Sequence, residues 1–160
     1  MKSKEEIFTI LQNVTDPEVP VLSILDLGIV RDIIVKTNDE LEVIITPTYS
    51  GCPAMSMIAF NIKMELVAHG FKTVTVSEVL SPAWTTDWMS EEGRKKLKAY
   101  GIAPPQYTTQ NHPNEREVVV PCPLCKSTDT TLLSQFGSTA CKALYKCKAC
   151  LEPFDYFKCH

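Results

Sequence analysis

Glycine is scarce in this chain, 6 of 160 residues, tryptophan occurs only twice, and no apolar run approaches the roughly 18 to 20 residues that a membrane span needs. The amino terminus, MKSKEEIFTI, places acids in its first turns and has no apolar stretch followed by small residues. This predicts no secretory leader and a cytoplasmic protein. Apolar residues at 44% and charged residues at 22% exclude wholesale disorder and a collagen-like structure. Also missing are a Ser-His-Asp set, a phosphate loop and a Glu-x-x-His di-iron motif, so the chain reads as non-catalytic on its own. The net charge of −3 gives no electrostatic drive toward nucleic acid. The first 121 residues hold one cysteine, Cys52, and the other six lie at or after Cys122. An odd count in a reducing compartment speaks against a disulfide framework and for thiolate chemistry or metal binding.

What is present divides the chain. Ser3 and Glu6 form a capping box ahead of Ile7, Ile10, Leu11 and Val14, whose spacing predicts an amphipathic helix. Asp16 to Pro20, DPEVP, must be a fixed loop, because each proline lacks a donor and disfavours helix before it. Leu22 to Val30 predicts a helical turn leading into a strand. Arg31–Lys36 and Glu40–Thr46 predict a hairpin across Asn38-Asp39, with Leu41, Val43 and Ile45 on one face. A helix from Ala54 to His69, with an apolar stripe of Met55, Ile58, Ile62, Leu66 and Met64, precedes a third strand at Lys72–Val79. A loop with two tryptophans follows, read together with the methionine-rich helix as interface material. Next comes a charged helix ending at Tyr100, whose Arg94, Lys95, Lys96 and Lys98 read as a solvated face. The fold class is α+β: a small open β-sheet with helices packed on one face, then a small zinc ribbon. The predicted division is 1–100, a breaker-rich linker at 101–116, and the ribbon at 117–160.

The ribbon rests on Cys122-Pro-Leu-Cys125 and Cys147-Lys-Ala-Cys150, two CxxC pairs with 21 residues between them. Two intervening residues let a tight turn aim both sulfurs at one ion while amides stabilise thiolate charge. Some 40 residues form too small a core alone, so a structural zinc ion would be coupled to folding. Strands are predicted at Thr130–Phe136, Ala143–Lys146 and Phe154–Lys158. Cys141 reads as a small buried hydrophobe or an additional metal or cluster ligand, and Cys159 and His160 lie at the end of the sequence, where fraying is the default. From Val119 onward five lysines face three acids without any arginine, which favours a protein-docking or purely structural ribbon over nucleic-acid binding.

Cys52 stands in Thr46-Pro-Thr-Tyr-Ser-Gly-Cys52-Pro53, between a strand end and a helix start. Pro53 suits a first helical position, which puts Cys52 at or near the N-cap, where amides and the helix dipole favour a thiolate. Metal or cluster transfer and a reactive thiol fit that placement, as does a cysteine merely tolerated at a cap. Asp16, Glu18 and Asp26 are oxygen ligands or turn acceptors, and the turn role is the commoner one.

These residues carry a resemblance. DPEVP (16–20), DLGIV (26–30) and TPTYSGCPA (46–54) resemble the small domain shared by the iron-sulfur assembly factor SufT and its eukaryotic cytosolic relatives. Together with PAWTTDWMS (82–90), GIAPP (101–105), FGSTACKALYKC (136–147) and EPFDYFKC (152–159), they make nearly the whole chain resemble the PaaD family, the D subunits of bacterial phenylacetyl-CoA epoxidase systems. The resemblance implies an accessory part in aerobic phenylacetate breakdown, where other subunits carry the di-iron site and the iron-sulfur reductase. It implies partners among those protein subunits, the reductase included, and help in maturing a metal centre, with transient iron or an iron-sulfur cluster as cargo. It implies metal handling by Cys52, with Asp16, Glu18, Cys141 and Cys159 of second rank. A scaffold that holds oxygenase components without transferring metal is the alternative. One departure is Lys126, where glycine commonly follows the second cysteine of such a knuckle.

Overall fold

Ser3 opens the first helix, α1 (Lys4–Leu11), through the predicted capping box: its hydroxyl accepts the Glu6 amide at 3.2 Å and the Glu6 carboxylate accepts the Ser3 amide at 2.6 Å. The computed structural model describes residues 1–106 and 119–158. Ile7, Ile10 and Leu11 are buried, and α1 packs on α2 (Ala54–Ala68). Strands β1 (Val30–Val35) and β2 (Glu40–Ile45) form the antiparallel hairpin. Strand β3 (Thr73–Glu78) then pairs parallel to β2, so the sheet order is β1-β2-β3. The parallel pairing requires a crossover, and α2 supplies it. Leu41, Val43 and Ile45 alternate into the core beside Ile33, as a period of two dictates.

Helix α2 buries Met55, Ile58, Ile62 and Leu66, but not Met64, which is exposed. Met64 lies two residues from Ile62, about 200° around the helix, on the side opposite the core. Gly70, at φ 101°, ends the helix region in a left-handed conformation.

The tryptophan loop turns one of its two indoles into the core. Trp84 is buried, and its indole N–H donates to the Leu27 carbonyl at 2.7 Å. Half-buried Trp88 carries the Arg31 guanidinium 3.8 Å over its ring. Gly28, at φ 72°, lets the backbone pass so close that a Cβ there would fall 2.3 Å from the Trp88 carbonyl oxygen. Asp26 is buried and acts as a turn acceptor: its carboxylate accepts the Ser23 amide at 3.0 Å and its carbonyl the Ser90 amide at 2.9 Å.

Helix α3 (Glu91–Ala99) contains the division between two compact units, Met1–Gly93 and Arg94–His160. Arg94 is buried rather than solvated, and its guanidinium donates to the Pro105 carbonyl. The segment predicted as linker begins with a strand, β4 (Ile102–Ala103), too short to leave a periodic pattern; positions 107–116 lie outside the described residues. In the second unit β5 (Thr130–Ser134), β6 (Lys142–Cys147) and β7 (Pro153–Phe157) complete a sheet of order β4-β7-β6-β5. Its small core joins Ala103, Val120, Cys122, Cys147 and Phe154, with Tyr145 stacked on Phe154 at 5.8 Å. Two of those five residues are knuckle cysteines, so the core and the candidate metal site are one structure. Among the described residues no helix is long and apolar enough to cross a membrane.

Candidate metal centre and thiol loop

Each CxxC pair is held by a backbone turn. In the first, the Lys126 amide donates to the Cys122 carbonyl and the Cys122 amide to the Ser127 carbonyl, both at 2.9 Å. In the second, the Cys147 amide donates to the Glu152 carbonyl at 3.0 Å, and the Cys150 amide points at the Cys147 sulfur at 3.5 Å. The residue after each second cysteine is left-handed, Lys126 at φ 65° and Leu151 at φ 66°. The sequence pointed to Lys126 and missed Leu151, although both stand one residue past a pair.

These turns bring four sulfurs together. Cys122 and Cys150 lie 3.8 Å apart, Cys125 and Cys147 3.5 Å, and all four sulfurs are within 4.8 Å of one another. Tetrahedral zinc with bonds of about 2.3 Å spaces its sulfurs by about 3.8 Å, so the arrangement fits one such ion. Cys122 and Cys147 are buried, Cys150 is half-buried and Cys125 exposed. The Cys150 amide, with help from the Ala149 amide and neighbouring thiols, brings the Cys147 thiol down to about 7. At Cys150 the Glu152 backbone hydrogen bond pulls down, yet burial and the three neighbouring thiols push it up to about 12. Cys147 and Cys150 are thus pushed apart, one toward the thiolate and the other toward the thiol, as crowded neighbours are.

Cys141 is not one of this group. It is buried, 3.0 Å from the Thr139 hydroxyl, and its carbonyl accepts the Lys158 amide at 2.9 Å. Cys159 and His160 lie outside the described residues.

Cys52 sits half-buried in the loop that leaves the carboxyl end of β2 and enters α2. Pro53 occupies the N-cap, so Cys52 precedes it by one residue; its amide donates to the Tyr49 carbonyl and its carbonyl accepts the Met55 amide, each at 3.2 Å. No side chain caps α2. The loop emerges where parallel β2 and β3 both end, the edge at which open α/β units place ligands. At its start Thr46 is buried with its hydroxyl unpaired among the described residues, a feature that sequence reasoning missed. Asp16 forms an Asx turn, accepting the Glu18 and Val19 amides at 2.7 and 2.9 Å, and Glu18 is half-buried. Among the described residues neither acid joins Cys52 in a cluster able to hold a metal.

Comparisons with known proteins match both units. The model of the PaaD zinc beta ribbon domain matches residues 106–158, and that of the iron-sulfur cluster assembly protein family matches residues 4–78. An Escherichia coli (strain K12) protein named for the D subunit of 1,2-phenylacetyl-CoA epoxidase is 49% identical over 156 residues, covering 96% of this chain and 92% of that protein. A Porphyromonas gingivalis Fe-S protein maturation auxiliary factor is 33% identical over 98 residues, covering 61% of this chain and 92% of its own length. The crystal structure of a domain of unknown function, DUF59, from Bacillus anthracis superposes with a TM-score of 0.55 at 27% identity, covering 59% of this chain and 90% of that one.

Proposed function

Because the chain belongs to the family of phenylacetyl-CoA epoxidase D subunits, we propose that it is an accessory subunit of a multicomponent ring epoxidase and helps mature an iron or iron-sulfur centre of a partner. The observation that carries this reading is the separation of two kinds of thiol. Four lie in a closed set that fits a structural ion, and one, Cys52, stands half-buried in a loop outside it. A closed four-sulfur site leaves no open position for chemistry. Cys122, Cys125, Cys147 and Cys150 would hold zinc, which supplies folding free energy to a small core. Cys52 would contact iron or a cluster as cargo, with Asp16 and Glu18 of the separate DPEVP loop as second-rank candidates. The setting is the cytoplasm, where thiols stay reduced.

Charge favours a protein partner. Four thiolates on one dication leave −2, which balances the formal +2 of the segment from Val119 onward. With metal bound, the segment from Val119 onward therefore has no net charge to attract a phosphate backbone, and Glu117 makes the ribbon at 117–160 slightly negative.

Replacement of Cys52 by serine tests the reading. The expected result is an unchanged fold, one zinc per chain, and reduced iron incorporation into the partner when the two are produced together. Full partner iron and activity with Cys52→Ser would remove the thiol from the mechanism. A scaffold without metal transfer is the second reading, favoured by exposed apolar side chains on α2. It predicts partner association with unchanged partner iron content.

A further inference from the structure

Helix α2 is apolar on two sides. Opposite its buried face, Met57, Phe60, Met64 and Val67 are 51%, 57%, 54% and 47% exposed. Their spacing of three, four and three residues places them in one stripe, about 15 Å long at 1.5 Å per residue. Half-exposed, four such side chains present on the order of 400 Å² of apolar surface, within the range at which a patch marks an interaction site. The only charged residues of α2 are Lys63 and Glu65. Glu65 is engaged by the Asn13 amide at 3.0 Å and by His69 at 3.8 Å, whereas Lys63 is exposed on the flank of the stripe.

We propose that this face of α2 seats in an apolar groove on a partner protein whose rim carries an acidic side chain opposite Lys63; the inference rests on the accessory-subunit reading and names the chemistry of its partner. Two arguments select that occupant over a second copy. A symmetric pairing of the stripe would bury on the order of 800 Å², short of the roughly 1,200 to 2,000 Å² of stable interfaces. It would also set Lys63 near its own copy, whereas an acidic rim complements it. A convex helix with anchors three and four residues apart is the half of a helix-in-groove contact that this chain supplies.

The test uses the full chain, loaded with zinc, and the purified oxygenase and reductase components of the same organism's epoxidase. Phe60→Glu and Met64→Glu alter only exposed positions, so circular dichroism is expected to match that of the unaltered chain. Each is expected to weaken binding to one component by about tenfold or more, and Lys63→Glu to weaken it by a salt-dependent factor. Hydroxyl-radical oxidation of Met57 and Met64 is expected to fall in the complex. Equal binding by the variants, or methionines that stay oxidisable, overturns this surface and leaves the accessory reading standing. Failure of the unaltered chain to bind any component overturns the accessory reading and the surface's partner together. A dimer of the free chain that Phe60→Glu dissociates overturns the proposal in favour of a second copy. Protection of both methionines in the free monomer overturns it, because the face is then covered without a partner.

Discussion

Lys126 and Leu151 hold the same left-handed backbone, at φ 65° and 66°, each one residue past the second cysteine of its knuckle. The two turns are therefore copies of one geometry built from different sequences. Left-handed conformation costs an L-residue roughly 1 to 2 kcal/mol, and glycine escapes it while losing more entropy on folding.

Lys126→Gly and Leu151→Gly are each expected to stabilise the ribbon by about 0.5 to 1 kcal/mol. Both side chains are exposed, so no core packing is lost. Thermal melts of the zinc-loaded protein check this, and a lowered midpoint for both variants would refute the strain argument.

Zinc loading is expected to release protons. Without metal, Cys150 is pushed up to about 12 and Cys147 lies near 7, so Cys150 holds a proton at neutral pH, and Cys147 part of one, that a fully thiolate site must shed. The bound form carries fewer protons, so affinity rises with pH and falls as pH drops through the Cys147 value. Calorimetric titrations in buffers of different ionisation enthalpy measure the number. Chelation is expected to abolish ribbon structure while helical signal from α2 persists. Zinc uptake without proton release would rule out the four-thiolate set.

In the first unit, Gly28→Ala sets a Cβ 2.3 Å from the Trp88 carbonyl oxygen at φ 72°. A backbone atom cannot step aside by changing rotamer, so destabilisation of about 3 kcal/mol or more is expected. Trp84→Phe removes the indole donor to the Leu27 carbonyl and is expected to cost about 1 to 3 kcal/mol. Denaturant unfolding followed on the helical signal checks both, with zinc content staying at one per chain. An unaltered midpoint for Gly28→Ala would show that the close approach is not obligatory.

Local rules made much of this molecule legible. The Ser3–Glu6 box, the alternation of Leu41, Val43 and Ile45, and Gly70 at the end of α2 each act within a few residues, so the sequence alone determined α1, the hairpin and the long helix. Paired cysteines with a two-residue gap likewise announced a four-sulfur cluster before any coordinates, because the turn that aims two sulfurs is itself local.

Three features depended on residues far apart in the chain, and only the tertiary structure decided them. Arg94 looked solvated among lysines, yet its guanidinium meets the Pro105 carbonyl in a buried setting. Ile102 and Ala103 looked like linker, and only pairing with Asp155 and Tyr156 makes them a strand. Met64 stands about 200° around the helix from Ile62 and shares a side with Phe60, and only burial shows that this side faces outward. Periodicity tells which residues share a side of a helix; when both sides are apolar, it cannot tell which side the core will cover. That choice belongs to the packing of α1 and β3 against α2, and it leaves Met57, Phe60, Met64 and Val67 facing outward.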